Sequence, residues 1–229
     1  MSKIEDIIKD VQENTIKFTI PMISNPKKNI VFRPLKGKDQ KVIVIDKEEN
    51  EDSDIKNFDS IMRLLDVIVL KCPVPLGQLE MNDFVWLLLN IRAKSQGDII
   101  ELVARCKNST CNEKNDLPID IFKDLKVDKE KKNNVVKVSE NTSLMLGSLT
   151  IMDYKNLLEY VKEDRVITGV ASSIKNVDFK GEIVDVDLPT KLIIVSELTE
   201  QLLKEISDYL LKANKEFRLE KTIKCKKCG

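Results

Sequence analysis

The sequence predicts an α+β fold, a helical core with β-hairpins around it. Three observations carry that prediction. Several long segments repeat apolar residues every three to four positions, short segments between them alternate apolar with polar, and two widely separated cysteine pairs each follow an alternating run. With 229 residues, 42% apolar and 33% charged, the chain is long enough for a sizeable core. It is read as one domain over residues 1–229.

Taken in order, "TIKFTIP" (Thr15 to Pro21) and "IVFRPL" (Ile30 to Leu35) alternate around a turn rich in Asn, Pro and Lys, which predicts a hairpin over about 15–35. The acidic stretch Asp46 to Asp54 is too polar to pack and is read as a solvated connector. From an N-cap at Ser53 or Asp54, the residues Phe58, Ile61, Met62, Leu65 and Ile68 form one helical face that ends at "KCPVP", where two prolines forbid continuation. "MNDFVWLLLNIRAKSQG" follows with Asn82 and Asp83 as a cap signal. Phe84, Leu87, Leu88 and Ile91 lie on one face and Val85, Trp86 and Leu89 cover much of the rest, so this helix is expected to be central and buried on most sides. Gly97 suits a left-handed stop.

"IIELVARC" then alternates and "NDLPIDI" is expected to return antiparallel to it across "CKNSTC". Asp124 to Asn134 reads as a charged loop, and "VVKVS" and "SLMLG" as further strands. "TIMDYKNLLEYVK" opens with Thr150 three residues before Asp153, a capping-box spacing, and sets Tyr154, Leu157, Leu158 and Val161 on one face. Residues 165–186 fit strand or irregular structure equally. A last helix, about Thr199 to Ala213, turns Leu202, Ile206, Tyr209, Leu210 and Ala213 inward, before "EFRLEKTIKCKKCG" alternates as a terminal strand.

The cysteines are Cys72, Cys106, Cys111, Cys225 and Cys228. The chain begins without the apolar stretch of a signal peptide and is expected to stay where it is made, a reducing setting in which paired cysteines point to metal before disulfides. C-x-x-x-x-C at 106 and 111 and C-x-x-C at 225 and 228 are zinc-ligand spacings, and each alone is half a site. The fold class therefore includes a split zinc-ribbon-like element, in which residues near 99–119 join 216–229. If the terminal strand lies beside Ile99 to Cys106, four sulfurs surround one ion. Four thiolates fill a tetrahedron, so the expected metal is a single structural zinc ion, with an iron–sulfur centre and unliganded thiols as the alternatives. Arg105, Lys107, Lys224, Lys226 and Lys227 lie close in sequence and would offset the charge of the thiolates. Cys72, beside Pro73, reads as a small buried apolar residue.

Histidine is absent, which removes the commonest general base and every imidazole ligand, and no phosphate loop, nucleophile elbow or H-E-x-x-H occurs. No catalytic residue is assigned; Asp83 with Glu80 reads as helix capping rather than an acid–base pair. Basic and acidic residues balance at 38 each, so no global field draws the chain to nucleic acid or to an anionic membrane, and no apolar run approaches the roughly 18 residues of a span. Arg92, Lys94 and Ser95 could meet a partner's carboxylates or close their own helix. A zinc-ribbon protein that binds nucleic acid or serves transcription is the alternative functional class, through the lysines at 224, 226 and 227.

The order of features also carries a resemblance. Phe32, Arg33 and Pro34, then Asp83, Leu87, Leu89, Arg92, Ala93, Lys94, Ser95 and Gly97, then the four paired cysteines and Gly229 resemble the baseplate family of T-even-type contractile-tailed bacteriophages. The resemblance implies a non-enzymatic protein of virion assembly that helps build the hub of the tail baseplate. It would be made in the infected bacterial cytoplasm, have other hub or tail proteins as partners, and either stay in the virion baseplate or leave after assembly.

Overall fold

The computed structural model describes residues 3–7, 16–39, 54–127, 134–159, 165–213, 217–219 and 221–229. The acidic stretch before Asp54, Val161 and the cap position Ser53 lie outside them. The chain divides into two compact units, one of residues 1–79 with 83–96 and the other of residues 80–82 with 97–229.

The first unit opens with the expected hairpin. Strand β1 (Phe18–Pro21) pairs antiparallel with β2 (Asn29–Phe32) in the register Phe18 to Phe32 and Ile20 to Ile30. Because side chains alternate across a strand, these four residues share a face, and Ile20, Ile30 and Phe32 on it are buried. Helix α1 (Asp54–Ile68) runs without a connector into β3 (Val69–Lys71), which completes a three-stranded sheet beside β2. Of the face expected from spacing, Phe58, Leu65 and Ile68 are buried, and Leu64 joins them.

Helix α2 (Met81–Gln96) buries Phe84, Leu87 and Ile91, with the rings of Phe58 and Phe84 6.1 Å apart. It is less enclosed than its composition suggests: Val85 is exposed, and Trp86, Leu88 and Leu89 are half-buried. One face is enough to hold an amphipathic helix, and the second apolar strip stays at the surface. Gly97 stops the helix at φ +100°, the left-handed conformation expected there.

Polar contacts frame this unit. Buried Arg33 grips buried Asp39 through two parallel bonds of 2.6 and 2.9 Å, and Asp39 also accepts the Lys36 amide at 2.7 Å. The Arg33 hydrogen bond holds the Asp39 carboxyl below its ordinary range, against the opposing pull of burial. Asp83 corrects an expectation. Its fully buried carboxylate does not cap α2 but accepts the amides of Ile23 (2.5 Å) and Ser24 (3.2 Å) and the Ser24 hydroxyl, tying the helix to a turn some sixty positions away.

In the second unit, β7 (Val135–Lys137), β8 (Thr142–Leu146), β9 (Ile174–Phe179) and β10 (Glu182–Val184) form an antiparallel sheet in the order β10-β9-β8-β7. Helix α3 (Ile151–Glu159) begins with the expected capping box: Thr150 Oγ1 accepts the Asp153 amide at 3.2 Å, and Asp153 Oδ2 accepts the Thr150 amide at 2.9 Å. Tyr154, expected inward, is exposed, and Ile151 is the buried residue of the helix. The ambiguous stretch 165–186 is helix α4 (Arg165–Ser173) leading straight into β9 and β10.

Helix α5 (Leu188–Ser196) is apolar nearly all round, so periodicity does not announce it. Its signal is the cap, where Asp187 accepts the Thr190 amide at 3.0 Å and Pro189 sits in the first turn. Helix α6 (Glu200–Ala213) buries Ile206 and half-buries Leu202, Tyr209 and Leu210 as expected. Val136, Leu144, Leu146, Val170, Ala171, Ile174, Val177, Val195, Leu198 and Ile206 form one core. Full burial of a side chain such as Leu144 contributes about 1.5–3 kcal/mol.

Candidate metal centre

Strand β4 (Ile99–Arg105) and strand β5 (Lys114–Asp120) form a two-stranded ribbon, with Ile99 opposite Asp120 and Arg105 opposite Lys114. Its end is shaped by short-range chemistry. The Cys106 amide reaches the Glu113 carbonyl at 2.9 Å, which closes the strands behind the turn. Within the turn, Asn108 accepts the Thr110 amide (3.1 Å) and hydroxyl (2.7 Å) on its side chain, while its carbonyl receives the amides of Cys111 and Asn112. Asn112 takes a left-handed φ of +46°, which Asn tolerates better than most residues. The turn thereby presents Cys106 and Cys111 together.

The other half arrives by a different route from the one the spacing suggests. Strand β11 (Phe217–Leu219) pairs antiparallel with β6 (Leu125–Val127), not with β4. Strand β6 lies inside the stretch read as a charged loop: three residues, "LKV", suffice for a strand once "FRL" supplies the complementary edge. From β11 the tail is fastened along β5. Lys221 donates to the Pro118 carbonyl and to Asp124 at 2.7 Å, and Lys226 donates to Asp116 at 2.5 Å. These bonds hold the carboxyls of Asp116 and Asp124 below their ordinary range. A last turn, closed by the Gly229 amide on the Cys225 carbonyl at 3.0 Å, sets Cys225 and Cys228 on one side.

The four sulfurs of Cys106, Cys111, Cys225 and Cys228 lie within 4.8 Å of one another. Two contacts run between the halves: Cys106 to Cys228 at 3.6 Å and Cys111 to Cys225 at 3.7 Å. A disulfide needs about 2.05 Å, and all five cysteines are free. A tetrahedron with metal–sulfur bonds of about 2.3 Å has sulfur–sulfur edges of about 3.8 Å, so the group has the size of a four-thiolate metal site. Its charge is unevenly held. The backbone amides of Cys228 and Lys227 draw the Cys225 thiol down to about 6, while the neighbouring cysteine sulfurs push Cys228 up to about 12. Four thiols this close share charge poorly, and a divalent cation would let all of them ionise. The group can hold a metal ion.

The lysines near the sulfurs do not act as one set. Lys226 is committed to Asp116, whereas Arg105, Lys107, Lys224 and Lys227 are exposed. Sequence spacing also does not single out Asn115, which is 3% exposed beside the sulfurs. Its register is the signal: it shares the ribbon face of Leu117 and Ile119, where a polar residue is out of pattern.

A family model described as T4 bacteriophage base plate protein matches residues 7–229. The chain belongs to that family. No curated protein and no solved structure matches it. Among the described residues of this baseplate protein, no helix is long and apolar enough to cross a membrane. Its two outlying motifs meet inside the first unit: the Ser95 hydroxyl donates to the Ile91 carbonyl at 2.5 Å and accepts the Leu35 amide at 2.9 Å, so the R-A-K-S block closes on the F-R-P-L loop. Lys94 is exposed, with its ammonium 5.5 Å from the centre of the Phe18 ring, and Arg92 is half-buried. Cys72 is half-buried, and burial pushes its thiol up.

Proposed function

We propose that this chain is a non-enzymatic structural or assembly protein of the tail baseplate hub, acting as one family domain made of two compact units. The proposal includes a single zinc ion held by Cys106, Cys111, Cys225 and Cys228. Family membership points to a structural or assembly role and to other tail and baseplate proteins as partners. The observation that carries the finer reading is the approach of four sulfurs, from pairs 114 and 122 positions apart, to the spacing of a tetrahedral site. Four thiolates leave no open position for substrate, so the metal fastens the discontinuous element of residues 99–119 and 216–229. Zinc fits four thiolates at tetrahedral spacing with no redox requirement. The exposed Lys94 and neighbouring Arg92 are the cations of the R-A-K-S block that a hub partner's carboxylates would meet, while Ser95 serves the fold. Synthesis and assembly take place in the host cytoplasm.

The test is recovery of the tagged chain from infected cells, with mass spectrometry of what accompanies it and elemental analysis of the purified protein. Baseplate hub proteins in the eluate and one zinc per chain are the expected result. Zinc without tail proteins removes the partner reading, and tail proteins with iron or no metal remove the zinc.

A further inference from the structure

We infer that Asn115 is a positioning residue of the metal centre, the side chain that couples the two halves of the site and tunes one of its sulfurs; the inference rests on the reading that the four cysteines hold a metal. Its amide contacts both halves at once. Nδ2 donates to the Glu113 carbonyl at 3.1 Å, the same carbonyl that receives the Cys106 amide behind the first cysteine pair. Nδ2 also lies 3.7 Å from Cys225 Sγ, within reach of a hydrogen bond to sulfur. On its other side, Oδ1 accepts the amide of Lys226 at 2.8 Å, which fixes the backbone between Cys225 and Cys228. The side chain is 3% exposed, so these bonds face little competition from water.

Asparagine suits this place because one planar group offers two donors and an acceptor. Aspartate keeps the acceptor for Lys226 but loses the donor and brings negative charge to thiolates that already repel one another. Leucine, of similar size, loses both. Donation to a metal-bound thiolate lowers the energy of the sulfur lone pair, and groups of this kind outside the ligand set typically change metal affinity by 10- to 100-fold. Asn115 also acts on the tail before metal arrives, since its bond to Lys226 holds the second knuckle over the first.

The experiment uses the full-length chain, its Asn115→Leu and Asn115→Asp variants, and cobalt(II) as the probe, titrated against a chromophoric chelator. Wild type is expected to bind one cobalt with intense sulfur-to-cobalt charge-transfer absorption. Both variants should bind about 10- to 100-fold more weakly, and in Asn115→Leu the charge-transfer band should move to longer wavelength because the sulfur has lost its donor. A purely structural contact would not move that band. Wild-type affinity and band position in Asn115→Leu overturn the inference, and so does wild-type affinity in Asn115→Asp, which would leave only the backbone anchor. Should Asn115→Leu not fold, Asn115→Asp decides alone. If wild type itself takes up no cobalt and no zinc, it is the metal reading that has failed.

Discussion

The β7–β10 body and the β4–β5 ribbon of the second unit are made from the same material, short alternating antiparallel strands, yet they are held together by different forces. In the body, Leu144 and Leu146 of β8 are 0% and 1% exposed beneath helices α4 to α6. In the ribbon, Ile99 is 55%, Leu102 43% and Val103 64% exposed. A two-stranded ribbon is marginal in water unless something else holds it. Here that is the burial of Ile119, 3% exposed, together with Lys221 on Asp124 and Asn115 on the second knuckle, with four sulfurs at the end. The difference teaches where a ligand would matter most: apolar burial holds the body, whereas the ribbon and tail would gain most from a metal at the four sulfurs.

The largest expected effect follows directly. Binding at structural four-thiolate sites is worth on the order of 10 kcal/mol at neutral pH. Chelation, or Cys111→Ser, should therefore release the amide-exchange protection of residues 99–120 and 221–229 together while 135–159 and 165–206 keep their own. Hydrogen exchange with mass spectrometry reads this peptide by peptide. Protection lost evenly over both regions, or kept in the ribbon after complete removal of metal, would break the comparison.

The first unit offers a third kind of region, polar like the ribbon but buried like the body. Removing one partner of a buried ion pair costs about 3–5 kcal/mol, because the other charge is left without compensation. Asp39→Ala, which strands Arg33, should lower stability by that amount, with Trp86 fluorescence in urea as the readout. The pH dependence has a definite sign. Asp39 has its folded pKa depressed below the ordinary 3.8, chiefly by the Arg33 hydrogen bond. Its contribution is thus complete above about pH 4 and is lost as pH falls through the depressed value. The gap between wild type and Asp39→Ala should narrow on acidification. A gap that is constant or widens would show that the pair is not the source of the difference.

In the body, Ile174→Ala removes a fully buried side chain where α4 passes into β9, and comparable truncations cost about 2–5 kcal/mol. Thermal unfolding should fall accordingly, while below the transition cobalt stoichiometry stays at one per chain. Loss of the metal site in a folded Ile174→Ala protein would mean that body and ribbon are one cooperative structure rather than two.

What could be read from residues alone divides along the same line. Local signals were reliable where chemistry is local: the Thr150–Asp153 box, the 18–32 hairpin and the Gly97 stop all lie within a few residues of what they specify. Pairing between distant segments was not legible. Nothing in "LKV" or "FRL" announces that β6 and β11 seek each other, and Asp83 carries the same letter whether it caps its own helix or reaches the Ile23 turn. The clustering of the four cysteines was legible because metal chemistry restricts ligand type and spacing, a long-range constraint written in short motifs. Asn115 has no such grammar; only its inward register in β5 marks it. Helix α5 escaped because an all-round apolar segment has no period to detect.

The smallest expected effect concerns Lys226, whose role is easiest to overstate because it lies between two cysteines. Its bond to Asp116 is short, at 2.5 Å, but the side chains are 62% and 77% exposed, and pairs in that setting contribute little once water and salt screen them. Lys226→Ala should leave cobalt affinity within about threefold of wild type, because the Asn115 bond is to the Lys226 backbone amide and survives the substitution. Raising the salt should erase even that difference. A loss as large as that expected for Asn115→Asp would place the ammonium, and not the amide, at the centre of the fastening, and the ribbon would then be held by charge.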